Sequence, residues 1–244
     1  MAIVKFDRSL FRNGNKAKGM NYGQIEPNQT WFNRDGMVEA QCYLDPDQFA
    51  DDIVAPLTKY VAATSSNGVT TPATKIVAQD GAFLMVDKSQ GLATIPSTAG
   101  SEAGFPMGIN YSSEQMYDER TPQRRKFFLT TEKWLPRIGY TAPGMRLTTN
   151  TVQWDTTCST VDLSSCTTSD DSFTAFTAIK NYINAGNKNA PLYACVVDGS
   201  DGELVIGADP ADALGNVYAE VVAAYDNADR TCSFMFQFIN KPTA

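Results

Sequence analysis

The sequence contains no histidine. A Ser-His-Asp or Cys-His nucleophile system therefore cannot be built, and the usual histidine-containing zinc and iron sites are excluded as well. The catalytic chemistry that remains is that of paired carboxylates, of lysine, or of magnesium held by carboxylates. The lack of histidine narrows the possible functions more than any motif present in the chain does.

Long apolar runs and paired cysteine motifs are also lacking. The N-terminal stretch MAIVKFDRSLFRNGNKAKG has no apolar segment of signal-peptide length, and no stretch approaches the roughly 18 apolar residues of a membrane span. We therefore expect a soluble chain with no export signal and no membrane partner. The five cysteines form no C-x-x-C pair, and their odd number and scatter predict reduced thiols. The alternative is a Cys158–Cys166 bridge that closes a short Ser/Thr-rich loop.

The acidic residues form no recognisable catalytic or metal-binding motif. One group surrounds a glycine-bearing turn: Asp198, Asp201, Glu203 and Asp209. Its spacing is not that of a calcium loop, and Asp and Gly are also the residues that a hairpin turn needs. Asp51-Asp52 and Asp118-Glu119 are sequence neighbours that point to different faces, so they suit surface charge better than a shared substrate. We predict that the protein is not an enzyme and binds neither a metal nor a cofactor.

Polar and apolar patterns divide the 244 residues into three parts. Residues 1–30 are polar and rich in Gly and Asn, which predicts an extended basic N-terminal arm. Residues 31–155 form a β-rich part with a helix near 46–63, opened by Asp45-Pro46. Residues 156–244 form an α+β part with a helix near 172–185 and two hairpins, either as a separate domain or as one domain with the preceding part.

Strand patterns dominate this organisation. Residues 81–96 read as a hairpin with its turn near Lys88–Gly91, whereas residues 62–74 read as a loop by composition. The last strand alternates Phe234, Phe236 and Phe238, which marks one face of a sheet. We predict an α+β fold, predominantly antiparallel β and sandwich- or barrel-like, with one or two helices.

Positive charge is concentrated in one stretch of an acidic chain. Residues 120–146 carry seven basic residues against one acid, a net charge of +6, whereas the whole chain is -7 with a sequence pI near 4.6. Such a run could bind nucleic acid, bind an acidic protein, or form a solvated strand edge. The acidic remainder disfavours a polyanion, whereas arginine with aromatic residues is typical of protein interfaces. The candidate interface residues are Arg120, Arg124, Arg125, Lys126, Trp134 and Arg137, together with Lys5, Arg8, Arg12, Lys16 and Lys18 of the arm.

Three stretches within residues 80–152 carry a resemblance to a known family. They read DGAFLMVDKSQGLATIPST, PMGINYSSEQMYDERTPQRRKFFL and WLPRIGYTAPGMRLTTNTV. Together they resemble a pattern in the head decoration, or auxiliary capsid, proteins of tailed bacteriophages. The points that carry the resemblance are the hairpin from Gly81, Tyr117-Asp118-Glu119-Arg120, Leu135-Pro136-Arg137 and Gly144 with Leu147-Thr148-Thr149-Asn150. The basic arm and the acidic C-terminal third have no counterpart in this pattern.

The resemblance implies a structural virion protein rather than a catalyst. It would be made in the cytoplasm of a bacterial host and would decorate or reinforce the capsid surface through contacts with the major capsid protein, with self-association left open. One alternative is a component of the tail tube or of the head–tail connector. Another, from a different class, is a carboxylate-based hydrolase acting on a polymer, which would need two carboxylates roughly 5–9.5 Å apart in an aromatic-lined cleft.

Overall fold

Strands dominate the described part of the protein. The computed structural model describes residues 1–6, 25–27, 38–39, 42–49, 59–110, 138–186, 190–215, 217–226 and 232–240. These residues form antiparallel-rich sheets with one long helix, which confirms the predicted α+β, predominantly antiparallel β class. Most of the predicted arm and the middle of the predicted helix near 46–63 lie outside them. So do residues 111–137, which contain most of the basic run at 120–146.

The larger sheet has eight strands, and it combines the start, the middle and the last third of the chain. Their spatial order is β1 (Ile3–Lys5), β12 (Val152–Asp155), β14 (Leu204–Ile206), β13 (Tyr193–Cys195), β15 (Tyr218–Tyr225), β16 (Ser233–Phe238), β11 (Arg146–Thr149) and β2 (Ile25–Pro27). Neighbours run antiparallel except for the parallel pair β12 and β14. Both predicted C-terminal hairpins are confirmed, and strands from either side of residue 155 share this sheet.

The first residues of the chain are part of this sheet. Strand β1 pairs with β12 in the register Ile3↔Asp155 to Lys5↔Gln153, and the side chain of Phe6 is only 1% exposed. The extended arm predicted for residues 1–30 is therefore wrong for these first positions. The polar composition averaged over the whole segment hid the short apolar sequence around Ile3 and Phe6.

The second sheet has six strands and holds the predicted hairpin at 81–96. Its spatial order is β3 (Val38–Glu39), β10 (Ile138–Gly139), β9 (Met107–Asn110), β7 (Phe83–Asp87), β8 (Leu92–Thr94) and β4 (Tyr43–Leu44). Strands β7 and β8 are antiparallel neighbours joined through the predicted turn, so that hairpin is confirmed. All five residues of β7 are buried, which places this strand inside the protein.

A third, two-stranded unit replaces the loop predicted at 62–74. Strands β5 (Thr64–Ser66) and β6 (Val69–Thr71) pair antiparallel around Asn67 and Gly68, whose φ angles are 52° and 78°. Two consecutive positive φ angles define the turn that favours two-residue hairpins, and Asn-Gly is its preferred sequence. The Ser/Thr-rich composition suggested a loop, whereas the Asn-Gly pair determines the structure.

The long helix forms as predicted and packs on the larger sheet. It spans Ser172–Asn184, follows a 3-10 turn at Ser169–Asp171, and ends before Gly186. The Asp171 carboxylate accepts hydrogen bonds from the backbone N–H and the hydroxyl of Thr168, at 2.9 and 3.0 Å. These bonds hold the pKa of Asp171 below its usual value. Phe176 is buried, and its ring lies 5.3 Å from that of Phe234 on β16.

Two other regions are relevant to the prediction of one or two helices: residues 97–103 and the predicted helix near 46–63. A short helix at Thr98–Glu102 begins with the Ser97 hydroxyl accepting from the Gly100 N–H at 3.2 Å. Near the predicted helix at 46–63, the Asp45 carboxylate accepts from the Asp47 N–H at 2.9 Å, and the chain turns there as expected for a cap. Residues 59–63 are not helical, and the positions between lie outside the described residues.

Candidate interaction sites and the buried charge cluster

The structure describes only one of the candidate interface residues, Lys5. The others lie outside the described residues: Arg8, Arg12, Lys16, Lys18, Arg120, Arg124, Arg125, Lys126, Trp134 and Arg137. The acidic pairs Asp51-Asp52 and Asp118-Glu119 lie outside them as well. The proposed roles of these residues therefore remain predictions from the sequence.

The two described residues that flank positions 111–137, the stretch with most of the basic run, are paired in the six-stranded sheet. Asn110, the last residue of β9, and Ile138, the first of β10, are direct partners in the antiparallel ladder. Both side chains are fully buried, and the Asn110 amide donates to the carbonyl oxygens of Ala78 and Gln79 at 3.2 and 3.1 Å. The chain on both sides of residues 111–137 is thus buried and hydrogen-bonded within the sheet.

Lys5 is enclosed in a charge cluster within the chain. Its ammonium nitrogen lies 2.9 Å from an Asp201 carboxylate oxygen and 3.3 Å from a Glu203 carboxylate oxygen. All three side chains are at least nine-tenths buried. The prediction that Lys5 is a surface interface residue is therefore wrong, because the charge of Lys5 is neutralised inside the protein.

The cluster connects three separate segments. Asp201 and Glu203 lie in the connection between β13 and β14, and the Tyr60 backbone N–H donates to the Asp201 carboxylate at 3.3 and 3.4 Å. Lys59 donates from its ammonium to the carbonyl oxygen of Ile3 on β1 at 3.1 Å. Burial lowers the pKa of Lys59, and the nearby Lys5 charge lowers it further, whereas Asp201 and Glu203 act in the opposite direction.

This buried ion-pair cluster stabilises the fold by holding separate segments of the chain together. A buried charge is tolerated only when it is paired and hydrogen-bonded, and removing one partner leaves a large uncompensated penalty. The two carboxylates that suggested a metal turn in the sequence are instead directed at one ammonium group. No local pattern reveals this, since Lys5 and Asp201 lie in elements far apart along the chain.

The same turn joins the two large sheets. The Phe83 backbone N–H on β7 donates to the carbonyl oxygen of Gly202 at 2.7 Å. Gly202 has a φ of +83°, and a Cβ atom at this position would lie 2.1 Å from the carbonyl oxygen of Phe83. Only glycine fits a backbone that approaches so closely at positive φ. The turn therefore fixes the six-stranded sheet against the eight-stranded sheet and holds the carboxylates that neutralise Lys5.

One cavity has aromatic residues in its lining and no charged side chain among its described lining residues. It measures about 600 Å³ and includes Phe105, Tyr140 and Phe238 among its lining residues. The other lining residues are apolar or neutral: Ser101, Gly104, Pro106, Met107, Thr141, Ala142, Pro143, Gly215, Val217, Ile239 and Asn240. Within the described residues, this cavity offers surface for apolar contact and no carboxylate for acid–base chemistry.

A second groove has the opposite character. It measures about 490 Å³ and is bordered by the carboxylate residues Glu102, Asp198 and Asp212, with no aromatic side chain among its described lining residues. A polymer-cleaving carboxylate pair needs both features in one cleft, because aromatic side chains hold the sugar rings while the carboxylates act on the bond. In these two cavities of the described chain, the two features occur apart.

The five cysteines are all free thiols, as the sequence predicts. Cys42, Cys166, Cys195 and Cys232 are buried, whereas Cys158 is partly exposed. Burial raises the pKa of Cys232 to about 12, with a further contribution from Asp226, and burial also raises the pKa of Cys166. A thiol must be deprotonated to react, so Cys166 and Cys232 are protected both by burial and by a raised pKa, and the other two buried cysteines are protected by lack of access.

Thiol labelling should therefore give two different counts. In denaturant without a reducing agent, an aromatic disulfide reagent should titrate all five thiols. In the folded protein at neutral pH, one thiol should react ahead of the rest, and Cys158→Ser should abolish that fast phase. A count of three in denaturant would reveal a disulfide, and a fast phase that survives the substitution would place the accessible thiol elsewhere.

Two further properties concern membranes and metals. Among the described residues, no helix is both long and apolar enough to cross a membrane. Within the same residues, no group of three or more His, Cys, Asp or Glu side chains is arranged to hold a metal ion.

Comparison with known proteins gave no match to a family model, a curated protein or a solved structure. The fold and the sites described above therefore rest on this chain alone.

Proposed function

We propose that this protein is a structural component of a bacteriophage virion that decorates or reinforces the capsid through contacts with the major capsid protein. The observation that carries the proposal is the pair of residues that flanks positions 111–137, the stretch that contains most of the basic run. Asn110 and Ile138 are buried partners in the antiparallel ladder, so the described chain is firmly held in the six-stranded sheet on both sides of this stretch. Arginines on such a segment suit an acidic protein surface, because the planar guanidinium group grips carboxylates bidentately.

The use of charge elsewhere in the described chain supports a binding role. Asp201 and Glu203 neutralise Lys5 in the interior, and the aromatic cavity and the carboxylate groove are separate. A polymer hydrolase would be supported by a carboxylate pair in an aromatic-lined cleft, and neither cavity has this combination. The capsid surface is the proposed location, and assembly in the cytoplasm of the host fits five free thiols.

Reversing two charges in the basic run tests the proposal. Arg124→Glu with Arg125→Glu should weaken docking onto heads assembled from the major capsid protein of the same phage by about tenfold or more, because like charges would then be opposed across the contact. Co-sedimentation over a range of protein concentrations measures the affinity. For the unmodified protein, docking should also weaken as the salt concentration rises.

The matched control reverses the same number of charges at positions outside the basic run. Lys75→Glu with Lys88→Glu changes two exposed lysines by the same amount and should dock as the unmodified protein does. Thermal unfolding of both variants should stay close to that of the unmodified chain, since exposed charges contribute little to stability. If the arginine variant binds heads with undiminished affinity, the basic run is a solvated surface and the proposal is lost.

A further inference from the structure

The hairpin formed by β5 and β6 is a separate two-stranded sheet, and none of the other described strands pairs with it. Every residue from 61 to 72 is exposed, including Val61 at 56% and Val69 at 69%. Its base is held by reciprocal backbone hydrogen bonds between Val61 and Thr74, at 3.2 and 2.9 Å. Among the described strands, β5 and β6 pair only with each other, so each presents an outer edge of backbone donors and acceptors.

Such a hairpin is unusual for a protein surface that stays solvated. A two-stranded hairpin is marginally stable alone and is normally completed by a third strand or by a packed face. Natural proteins also protect open strand edges with charged residues, lysine above all. Residues 61–74 contain no charged side chain, and the nearest lysines, Lys59 and Lys75, lie just outside the hairpin.

We propose that this hairpin is a docking surface for a second copy of this chain. The two copies would pair edge to edge and antiparallel through β5, giving a four-stranded sheet across a two-fold axis. Strand β5 offers the better edge, because β6 is followed directly by Pro72, which has no N–H to donate to an added strand.

The uncharged hairpin and its matching open edge favour a second copy as the occupant. Each chain has a formal net charge of -7, so two copies repel one another over most of their surfaces. A contact made through an uncharged hairpin keeps that repulsion smallest. A strongly charged partner would instead be matched by opposite charge, which residues 61–74 do not provide. A second copy also supplies the required complement, since it presents the same open edge of Thr64–Ser66.

This inference does not rest on the capsid proposal, and the two respond to salt in opposite ways. Pairing of two acidic copies should strengthen as salt screens their repulsion, whereas docking through a basic run should weaken. A failure of one is therefore distinguishable from a failure of the other.

Sedimentation of the isolated full-length protein over a wide concentration range tests the inference. The unmodified chain should dimerise, more tightly at higher salt. Thr64→Lys with Ser65→Lys places one positive charge on each face of β5, so that like charges meet across the two-fold axis, and should weaken dimerisation about tenfold or more. The control, Gln90→Lys with Asn181→Lys, adds the same charge at exposed positions elsewhere and should dimerise at least as well as the unmodified chain.

Hydrogen exchange on the unmodified protein gives a readout that needs no variant. Amides of residues 63–66 should exchange more slowly at concentrations where the dimer forms than at low concentration. A chain that stays monomeric at every concentration overturns the inference. So does a dimer that the lysine pair on β5 leaves intact, or one whose formation leaves exchange at 63–66 unchanged.

Discussion

Replacing Gly202 with alanine is expected to lower the free energy of unfolding by about 2–5 kcal/mol. A non-glycine residue at a φ of +83° incurs backbone strain of about 1–2 kcal/mol. The added Cβ would also lie 2.1 Å from the Phe83 carbonyl oxygen, and relieving such an overlap in a packed interior costs about 1–3 kcal/mol. Since native domains are stable by about 5–15 kcal/mol, the loss should be plain in urea unfolding.

Gly199 provides the matched control within the same turn. Its φ is +73°, but a Cβ atom there would meet nothing within 4 Å. Gly199→Ala should therefore incur the backbone strain alone, about 1–2 kcal/mol. Equal losses for the two variants would show that the contact between the turn and β7 tolerates the extra atom, contrary to the geometry.

Replacing Lys5 with methionine is the second substitution expected to have a large effect. It keeps the apolar stem but removes the ammonium group that lies 2.9 Å from Asp201 and 3.3 Å from Glu203. Breaking a buried ion pair from one side leaves uncompensated charge in the interior and typically costs about 3–5 kcal/mol. Urea unfolding near pH 7 measures the loss.

Two comparisons separate this effect from a general loss of a lysine. Lys75→Met removes an exposed lysine whose ammonium donates only to the Pro46 carbonyl in the described contacts, and should change stability by about 0.5 kcal/mol or less. Combining Lys5→Met with Asp201→Asn and Glu203→Gln removes all three charges together. This triple variant should be more stable than Lys5→Met alone. If it is less stable, the carboxylates are stabilised by something other than Lys5.

Helices and strands whose pattern lies in neighbouring residues could be predicted from the sequence. The helix at Ser172–Asn184 has apolar residues at helical spacing, acidic residues at its start and Gly186 just after its end. Strand β16 has strict alternation of phenylalanine. The Asn67-Gly68 turn had an equally specific signal. Its flanking strands are all Ser, Thr and Val at exposed positions, however, so no apolar face marked them as strands.

Long-range partners could not be predicted in this way. The pairing of β1 with β12, and of Lys5 with Asp201, joins residues about 150 and 200 positions apart, and neither end has a pattern that specifies the other. An arm of polar composition and an acidic turn are each reasonable interpretations of their own segments. Only the fold shows that the turn neutralises the start of the chain and that Gly202 is needed for a close backbone approach.

The position of β16 has a consequence for synthesis of the protein. This strand is the last of the sheet along the chain, but it lies inside the sheet, between β15 and β11. While the ribosome is still translating residues 233–238, β11 and β15 have no strand between them, and both expose unsatisfied edges. The larger sheet therefore stays incomplete until residues 233–238 have been made, and a product truncated shortly before them would present two open strand edges prone to aggregation rather than a slightly shorter version of the same fold.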